Sequence, residues 1–567
     1  MAELSEDLKS AIAAHKAGRL DEAEAGYRRV LAKHPRAAEA HFMLGLVHLQ
    51  KNRPAEARGC LEEAIAIDPS DARYHNNLGK ALLGLAQPQQ ALAAFEAALD
   101  RLPDFENALI GRAVALIALD RQAEAEEVYN AILARRPGQP ETLVGLSGLL
   151  IRQNRNTEAA EALKEGLEHY PGEPRLLANL ANALEKLNDL DGAETAAQQA
   201  LAAAPGLTEP RFSLARLDHR RGRLDQARAR LDELLAKPLR DEERLDALFE
   251  LGAVLDRLGE PAAAIAALRR AKKQIGDSPE ARGVSGADFL ERVRRNRAWF
   301  TCERLRAAPR PADSGPAPVF FVGFPRSGTT LMERILQAHP GVATTEEDSP
   351  LTPVRRQLAL ERRYPEGLAE FSAEDLGRAA ELFWVRAAQA VGPLEGRVLV
   401  DKLPLNIVDL GLANLVFPEA KVLVALRDPR DVCLSCFMQY FLLNDAMVNF
   451  LDLKRTAETY AAVMGLWLEY RDSLTLPHLE YRYEDLVEDF ESMVRQVLDF
   501  IGVGWHDEVA HYREKSLGQA INTPSYRQVT GAITSRAVGR WRAYRAELAP
   551  VLDDLRPFAA AFGYPED

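Results

Sequence analysis

The residues best suited to chemistry form one loop in the second half of the chain, directly after an apolar run at Val319–Gly323. The loop contains Pro-Arg-Ser-Gly-Thr-Thr, and apolar residues at helical spacing follow it. A strand, a tight loop and a helix start can cradle a phosphate, because the loop N–H groups and the helix dipole both favour an anion. The residues that we expect to contact this anion are Arg326, Ser327, Gly328, Thr329 and Thr330. The loop lacks the Lys of a Walker A motif, which argues against a nucleotide kinase.

A second candidate phosphate site follows a second buried strand, Lys421–Leu426. Arg427 stands at the end of this strand, and a predicted helix carries Ser435 eight residues later. The guanidinium group suits a phosphate because its planar fork can donate to two oxygens. The alternative is a salt bridge of Arg427 with Asp428 or Asp431.

Together, the two motifs resemble the nucleotide sites of sulfotransferases that use PAPS (3'-phosphoadenosine 5'-phosphosulfate). In that family the first motif binds the 5'-phosphosulfate, and the Arg and Ser of the second bind the 3'-phosphate. Residues 319–545 resemble the tyrosylprotein sulfotransferases in particular. This resemblance rests on Arg326-Ser-Gly-Thr-Thr-Leu-Met, Ala338-His-Pro340, Val342, Glu346-Glu347, Asp401-Lys402-Leu-Pro404, Tyr483-Glu-Asp-Leu-Val, Ser525-Tyr-Arg-Gln-Val and Arg540-Trp541.

The resemblance implies a role for each matching residue. Glu347 would be the catalytic base, and Lys402 would contact the transferring sulfuryl group. Ser525 would lie near the sulfate, and Tyr483 would bind the nucleotide. Arg540 stands where the family has a Lys that contacts the 3'-phosphate, so a cation is retained with a different geometry.

Other residues could take these roles. Glu346 and Asp348 flank the proposed base, and either would serve if the register shifted by one. His339 is a further candidate base because cytosolic small-molecule sulfotransferases use His, but its place at a predicted helix end favours capping. Asp401 could pair with the neighbouring Lys402 and hold its ammonium group.

The acceptor is less well defined than the donor. The family has arginines shortly after the catalytic Glu on its substrate side, whereas this chain has Asp348-Ser-Pro350, with Arg355 and Arg356 further on. From the resemblance, we expect a sulfotransferase whose acceptor is a protein or peptide tyrosine. The alternatives are a saccharide, lipid or small-molecule acceptor, and a scaffold without catalytic activity.

The chemistry itself needs positioning and charge neutralisation rather than a metal, since sulfuryl transfer resembles in-line phosphoryl transfer. Lys402 and Arg326 would stabilise charge on the leaving phosphate. A phenol titrates near 10 and an ordinary Glu near 4.3, so complete proton transfer before attack would cost roughly 8 kcal/mol. The base should therefore act as the new S–O bond forms. We predict no metal site; the Cys433-Leu-Ser-Cys436 spacing is more typical of two small buried helix residues than of a redox or metal pair.

From position 319 onward, the sequence predicts strands and helices that place these motifs at one edge of a sheet. The strand candidates are Val319–Gly323, Arg397–Asp401, Lys421–Leu426 and Leu479–Tyr483, with helical patterns between them. This alternation predicts an α/β domain with a central parallel sheet and a P-loop-like start. Ligands of such sheets bind at the carboxyl ends of the strands, where all the motifs fall.

The first half of the chain is periodic. Three sets of residues recur at intervals of 34: prolines at Pro35, Pro69, Pro103, Pro137, Pro171 and Pro205; alanines at Ala23, Ala57, Ala91, Ala125, Ala159, Ala193 and Ala227; and turn residues at Gly18, Asn52, Asp120, Asn154, Asn188 and Gly222, with Ala86 as the exception. A period of 34 is typical of the tetratricopeptide repeat, a pair of helices. We predict about eight repeats in an all-α superhelix over residues 5–275.

These patterns predict a multidomain chain with an all-α repeat array (5–275), a Pro-rich connector (276–316) and a PAPS-dependent α/β sulfotransferase domain (317–567). Within the connector, Ala287 to Ala307 could form a helix. The concave face of such an array binds peptides or proteins, although the array could also be a spacer or an oligomerisation surface.

Composition limits the classes of partner and location. The net charge of −13 argues against a nucleic acid or an anionic membrane as the main partner. Four cysteines in 567 residues do not form a disulfide framework. No apolar run approaches the length of a membrane span, and the acidic N-terminus lacks a signal-peptide core. We therefore expect a cytoplasmic protein.

Overall fold

The computed structural model describes residues 2–311, 313–361, 364–513 and 537–566. Contacts divide the chain into two compact units, residues 1–221 and 222–567. Eight helix pairs occupy residues 2–276: α1 (Ala2–Lys16), α2 (Leu20–Lys33), α3 (Ala38–Gln50), α4 (Pro54–Ile67), α5 (Ala72–Gly84), α6 (Pro88–Arg101), α7 (Glu106–Ala118), α8 (Gln122–Arg135), α9 (Pro140–Arg152), α10 (Asn156–His169), α11 (Pro174–Lys186), α12 (Leu190–Ala203), α13 (Glu209–Arg220), α14 (Leu224–Leu235), α15 (Asp241–Arg257) and α16 (Pro261–Gly276).

The three periodic positions explain the local structure of these pairs. Each repeating alanine is fully buried between helices, where a larger side chain would force them apart. Each repeating proline lies two residues beyond the end of the second helix of a pair, as its missing N–H requires. The turn positions all have positive φ, from 54° at Asn52 to 76° at Gly222. Ala86, which breaks the pattern of residue types, has the same conformation at φ 55°. The predicted helical array is confirmed.

The unit of residues 222–567 begins with α14–α16, so the last repeat helices pack in one unit with the α/β part of the chain. Three connector helices follow, α17 (Pro279–Arg282), α18 (Gly286–Trp299) and α19 (Cys302–Ala307). The single helix expected over 287–307 is therefore interrupted at Phe300 and Thr301. The predicted domain boundaries at 275 and 317 stay predictions.

The connector is part of the core of this unit. Asn296 on α18 is fully buried, and its Nδ2 donates to Val408 O at 2.9 Å and to the Tyr364 hydroxyl at 2.7 Å. Arg297 forms an ion pair with Glu469. The connector therefore buries one polar side chain, Asn296, whose hydrogen-bond partners lie in the part of the chain that follows it.

Among the described residues, five parallel strands form the central sheet in the order β2-β3-β1-β4-β5. They are β1 (Val319–Gly323), β2 (Val342–Thr344), β3 (Val398–Lys402), β4 (Lys421–Leu426) and β5 (His478–Arg482). Val319 pairs with Val400 of β3 on one side and with Lys421 of β4 on the other. The parallel sheet is confirmed; the sequence located β1 and β4 at their observed bounds and shifted β3 and β5 by one residue.

Helices accompany this sheet: some connect successive strands as crossovers, and others follow β5. They are α20 (Thr329–Ala338), α21 (Leu351–Leu360), α22 (Ala373–Val391), α23 (Leu410–Val416), α24 (Pro429–Met438), α25 (Leu453–Ser473), α26 (Tyr483–Glu488), α27 (Phe490–Ile501), α28 (Arg545–Leu548) and α29 (Leu552–Ala561). Short 3₁₀ turns include Pro404–Asp409, Met447–Leu451 and Arg540–Tyr544. In the described part of the chain, no helix combines the length and apolarity that a membrane crossing needs.

Candidate active site

The loop after β1 has the conformation of an anion cradle. Arg326 and Gly328 both have positive φ, 73° and 88°, and α20 starts immediately at Thr329. The first N–H groups of a helix have no partner within the helix, so those of Thr329 and Thr330 are available to an anion. Ser327, Thr329 and Thr330 are all nearly buried, which places their hydroxyls inside the protein rather than in bulk water.

Gly328 is required here for steric reasons as well. A Cβ atom at this position would lie 2.4 Å from Cδ2 of Tyr483, far inside van der Waals contact. Tyr483 begins α26 directly after β5, which is two strands from β1 in the sheet, and its ring packs against the loop. The structure thus brings Tyr483 to the anion loop, and its role in nucleotide binding stays a prediction.

Arg427 connects the two predicted phosphate motifs. Its Nη1 donates to Arg326 O at 2.9 Å, its Nη2 donates to Ala537 O at 2.6 Å, and its guanidinium lies 5.0 Å from the Tyr483 ring centroid. Its Nε is buried and has no hydrogen-bond partner among the described residues. A buried donor without a partner is costly, and an anion at this position would satisfy it.

The alternative salt bridges of Arg427 do not form as hydrogen-bonded pairs in the described structure. Asp428 accepts a bidentate interaction from Arg430 at 2.9 and 2.8 Å instead. Asp431 accepts the backbone N–H groups of Gly539 and Trp541, both at 2.7 Å. Burial raises the pKa of Asp431 to about 6, although the Arg427 charge opposes this.

Ser435 lies on α24, where its hydroxyl accepts a hydrogen bond from Arg326 Nε at 3.1 Å. Burial lowers the pKa of Arg326 to about 10; the nearby charges of Arg427 and Arg540 contribute in the same direction. Three arginines from separate elements therefore share one region, and an anion would offset their repulsion. Arg540 itself pairs with Asp256 of α15, with Nη2 2.7 Å from Oδ1.

Lys402, at the end of β3, is completely buried between two carboxylates. Its Nζ lies 2.7 Å from Oε1 of Glu347 and 2.8 Å from Oε2 of Glu333. Burial raises the pKa of Glu333 to about 7, against the opposing effect of the Lys402 charge. Glu333 contacts Lys402 as an ion pair only, because neither of its oxygens has a hydrogen bond of good geometry.

The structure separates Glu347 from its neighbour Glu346. The Glu347 side chain is partly exposed and paired with Lys402. The Glu346 carboxylate instead accepts from Gln337 Nε2 at 2.7 Å and from Arg334 Nη1 at 3.3 Å. Both have positive φ, 48° and 76°, a conformation that turns successive side chains to different sides. Asp348 is exposed. The geometry therefore favours Glu347.

His339 has a capping role. It follows the last residue of α20, its Nε2 lies 2.8 Å from Gly504 O, and its Nδ1 accepts the Gly341 N–H at 2.9 Å. Both ring nitrogens are thus occupied by backbone groups, which leaves neither for a substrate proton.

Asp401 does not hold Lys402, contrary to the pairing considered from the sequence. Its carboxylate accepts from Ser349 Oγ at 2.8 Å and from Thr345 Oγ1 at 3.2 Å. Thr345 Oγ1 in turn accepts the Lys402 N–H at 3.1 Å. Burial raises the pKa of Asp401 to about 7. Asp401 therefore fixes the segment after β2, which carries Glu347, against the end of β3.

A cavity of about 290 Å³ opens beside these groups. The anion loop and Glu347 line it, together with Phe289 and Arg292 of the connector helix α18. Its other lining residues include Arg355, Arg356, Leu403, Pro404, Phe441 and Met447. The cavity combines apolar walls with arginines, and Arg355 and Arg356 line it together with the proposed base.

Two remaining predictions concern cysteine and Ser525. Cys433 and Cys436 are buried free thiols, and burial raises the pKa of Cys436 to about 12. Cys436 Sγ donates to Pro325 O at 3.3 Å and so supports the anion loop. Across the described ranges, no cluster of three His, Cys, Asp or Glu residues suits a metal ion. Ser525 lies outside the described residues.

Sequence reasoning missed several residues of this site. Glu333 gave a signal: it stands within an apolar helical stretch, where an acidic residue must find a partner. Strand β2 has only three residues, too few for a periodic pattern. Asp256 lies more than 250 positions from Arg540 and gave no local signal.

Comparisons with known proteins agree with this geometry. A model of the sulfotransferase family matches residues 318–507, and a tetratricopeptide repeat model matches residues 8–72, 76–140, 148–208 and 212–279. An uncharacterized protein of Aquifex aeolicus (strain VF5) is 32% identical over 267 residues, which cover 45% of this chain and 34% of that protein.

Two further relatives have functional names. Protein-tyrosine sulfotransferase A of Caenorhabditis elegans is 25% identical over a region that covers 43% of this chain and 67% of that protein. Protein-tyrosine sulfotransferase 2 of Gallus gallus is 27% identical, with coverage of 43% and 69%. The chain thus spans about a third of the Aquifex protein and about two thirds of the other two. Residues 318–507 of this chain thus match the sulfotransferase family, and the helix pairs before them match tetratricopeptide repeats.

Proposed function

We propose that this protein transfers a sulfuryl group from PAPS to an acceptor hydroxyl, and that the acceptor is a tyrosine of a peptide or protein. One observation carries the proposal: Glu347 lies against Lys402 and lines the same cavity as the anion loop. A base, a cation and an anion cradle are the groups that sulfuryl transfer needs.

The residues at the nucleotide side fit PAPS. The loop and the start of α20 suit its 5'-phosphosulfate, and the unpartnered Nε of Arg427 suits its 3'-phosphate. Ser435, Tyr483 and Arg540 complete the proposed nucleotide site. When bound, PAPS supplies a sulfuryl group activated by a good leaving group, the 5'-phosphate of PAP.

Glu347 and Lys402 act as a coupled pair in this mechanism. As the acceptor oxygen bonds to sulfur, its proton moves to a Glu347 oxygen, and the bond from sulfur to the 5'-phosphate oxygen breaks. Protonation neutralises Glu347, so Lys402 loses one anionic partner at the moment when charge grows on the leaving oxygen. Glu333 keeps the ammonium group in place throughout, because it holds Lys402 from the other side.

The acceptor side supports a tyrosine by chemistry and by relationship. Apolar walls, including Phe289 and Leu403, suit an aromatic ring. The relatives named above are protein-tyrosine sulfotransferases. We further propose that the repeats bind a peptide or protein partner and that the protein is cytoplasmic.

Calorimetric titration of the purified protein with PAP, AMP and ATP tests the donor. We expect PAP to bind most tightly; equal affinity for PAP and AMP, or a preference for ATP, would reject the PAPS site. Transfer from radiolabelled PAPS then tests the acceptor with a tyrosine peptide and its phenylalanine counterpart. Label on the tyrosine peptide alone supports the proposal, whereas label only on a saccharide or lipid acceptor rejects the tyrosine assignment. The Lys402→Ala variant should bind PAP but transfer no label, which excludes a contaminating enzyme.

A further inference from the structure

The proposed nucleotide site contains an ion pair with the last repeat. Asp256 lies on α15, and its Oδ1 accepts from Arg540 Nε at 3.1 Å, from Arg540 Nη2 at 2.7 Å and from the Tyr544 hydroxyl at 2.6 Å. Both ends of this contact lie within the compact unit of residues 222–567.

The position of Asp256 in its own helix is unfavourable. It is the penultimate residue of α15, where the helix dipole presents its negative end and disfavours a carboxylate. An acidic residue at this place needs compensation from outside the helix. Arg540 and Tyr544 provide it, so the Asp256 carboxylate is stabilised by these two residues and not by its own helix.

The segment that carries Arg540 is tied to the 3'-phosphate side of the site. Ala537 O accepts from Arg427, and the N–H groups of Gly539 and Trp541 donate to Asp431 near the start of α24. Arg430 stacks on the Trp541 ring with its guanidinium carbon 3.8 Å from the centroid. Arg540 is therefore held between the Arg427 region and the repeat helix.

We propose that Asp256 is a positioning residue for the nucleotide: it orients the Arg540 guanidinium toward the 3'-phosphate of PAPS. This inference rests on the proposed function. A guanidinium has five N–H donors, and Asp256 engages only Nε and Nη2. The Nη1 group remains able to donate to a phosphate while the pair with Asp256 stays intact. The last repeat is then part of the enzyme site.

The same repeat contacts the site at a second point. Lys272 of α16 is nearly buried and donates to Gln439 O at 2.7 Å, at the C-terminal end of α24, the helix that carries Ser435. Two contacts thus fix the repeat against elements of the nucleotide site.

The test compares PAP with AMP, which lacks the 3'-phosphate. We expect Asp256→Ala to weaken PAP binding about five- to tenfold and to change AMP binding by less than about twofold, as loss of one hydrogen-bonding partner does. Asp256→Asn should stay near wild type, because its amide oxygen can still accept from Arg540 and Tyr544. The control is Asp225→Ala, which removes an exposed carboxylate of α14 and should change neither affinity.

A double-variant cycle separates positioning from general stability. In an Arg540→Ala background, Asp256→Ala should cause no further loss of PAP affinity. Additive losses, equal losses for PAP and AMP, or an unchanged PAP affinity in Asp256→Ala would each overturn the inference. If the wild-type protein shows no preference for PAP over AMP, the proposed function fails before any variant is compared.

Discussion

Replacement of Glu347 by Gln provides the sharpest test of the active site, because the chain offers a matched control in the preceding residue. Glu346 and Glu347 have the same side chain and similar backbone conformation. Only Glu347 contacts Lys402 and lines the cavity; Glu346 is bound by Gln337 and Arg334. Each substitution replaces one carboxylate by an amide of the same shape.

The expected magnitudes differ strongly. Loss of a general base reduces turnover by about 10²- to 10⁴-fold, so Glu347→Gln should lose at least a hundredfold in kcat. Glu346→Gln should keep kcat within about threefold. It removes a partly exposed ion pair with Arg334, which contributes on the order of 1 kcal/mol or less to folding.

The assay is single-turnover transfer of labelled sulfate with enzyme in excess, accompanied by PAP titration of both variants. PAP affinity should change little in either variant, because the role proposed for Glu347 is to take a proton from the acceptor and not to bind the nucleotide. Retention of more than about a tenth of the wild-type rate in Glu347→Gln would refute the assignment of the base. A loss confined to Glu346→Gln would transfer that role to its neighbour.

Three further predictions follow from the same geometry. Arg427→Ala should weaken PAP binding by about 2 kcal/mol or more in calorimetry while AMP binding persists. Gly328→Ala should reduce PAP affinity at least about tenfold, since the new Cβ meets Tyr483; Gly59→Ala, on an open helix surface, should fold and bind normally. Burial raises the pKa of Glu333 in the folded state from 4.5 to about 7, so the folded protein binds this proton more tightly than the unfolded chain does. The folded state therefore loses stability as the pH rises between these two values. The free energy of unfolding of Glu333→Gln, measured in urea and compared with wild type, should therefore increase by on the order of 2 kcal/mol between pH 5 and pH 8. A difference between the two proteins that does not change with pH would contradict this.

Much of the fold could be predicted because the signals are local. Each repeat places the same residue types at the same positions, and β1 and most of β4 are continuous apolar runs, as a sheet covered on both faces requires. Short or irregular elements escaped prediction. The three residues of β2 show no period, and the break between α18 and α19 depends on where Phe300 packs, against Gly411 of α23.

The residues of the candidate site also divide into those with a local sequence signal and those without one. Loop, strand-end and helix-start residues such as Arg326 and Arg427 could be predicted, because the residues next to them in the sequence indicate the local backbone structure. The partner of Lys402 could not, because Glu333 and Glu347 reach it from two other elements. The roles of the individual residues and of Ser525 stay predictions until the nucleotide is bound.

The membership of α14–α16 in the compact unit of the catalytic half has a consequence for how such a protein can change over generations. An array with a fixed period of 34 residues changes length by duplication or deletion of whole copies. Copies within residues 1–221 can multiply or diverge without altering the contacts of Asp256 and Lys272, whereas deletion of the last copy removes both. We therefore expect related proteins to differ in the number of early copies and in the partners those copies select, while the copy next to the enzyme is inherited with it.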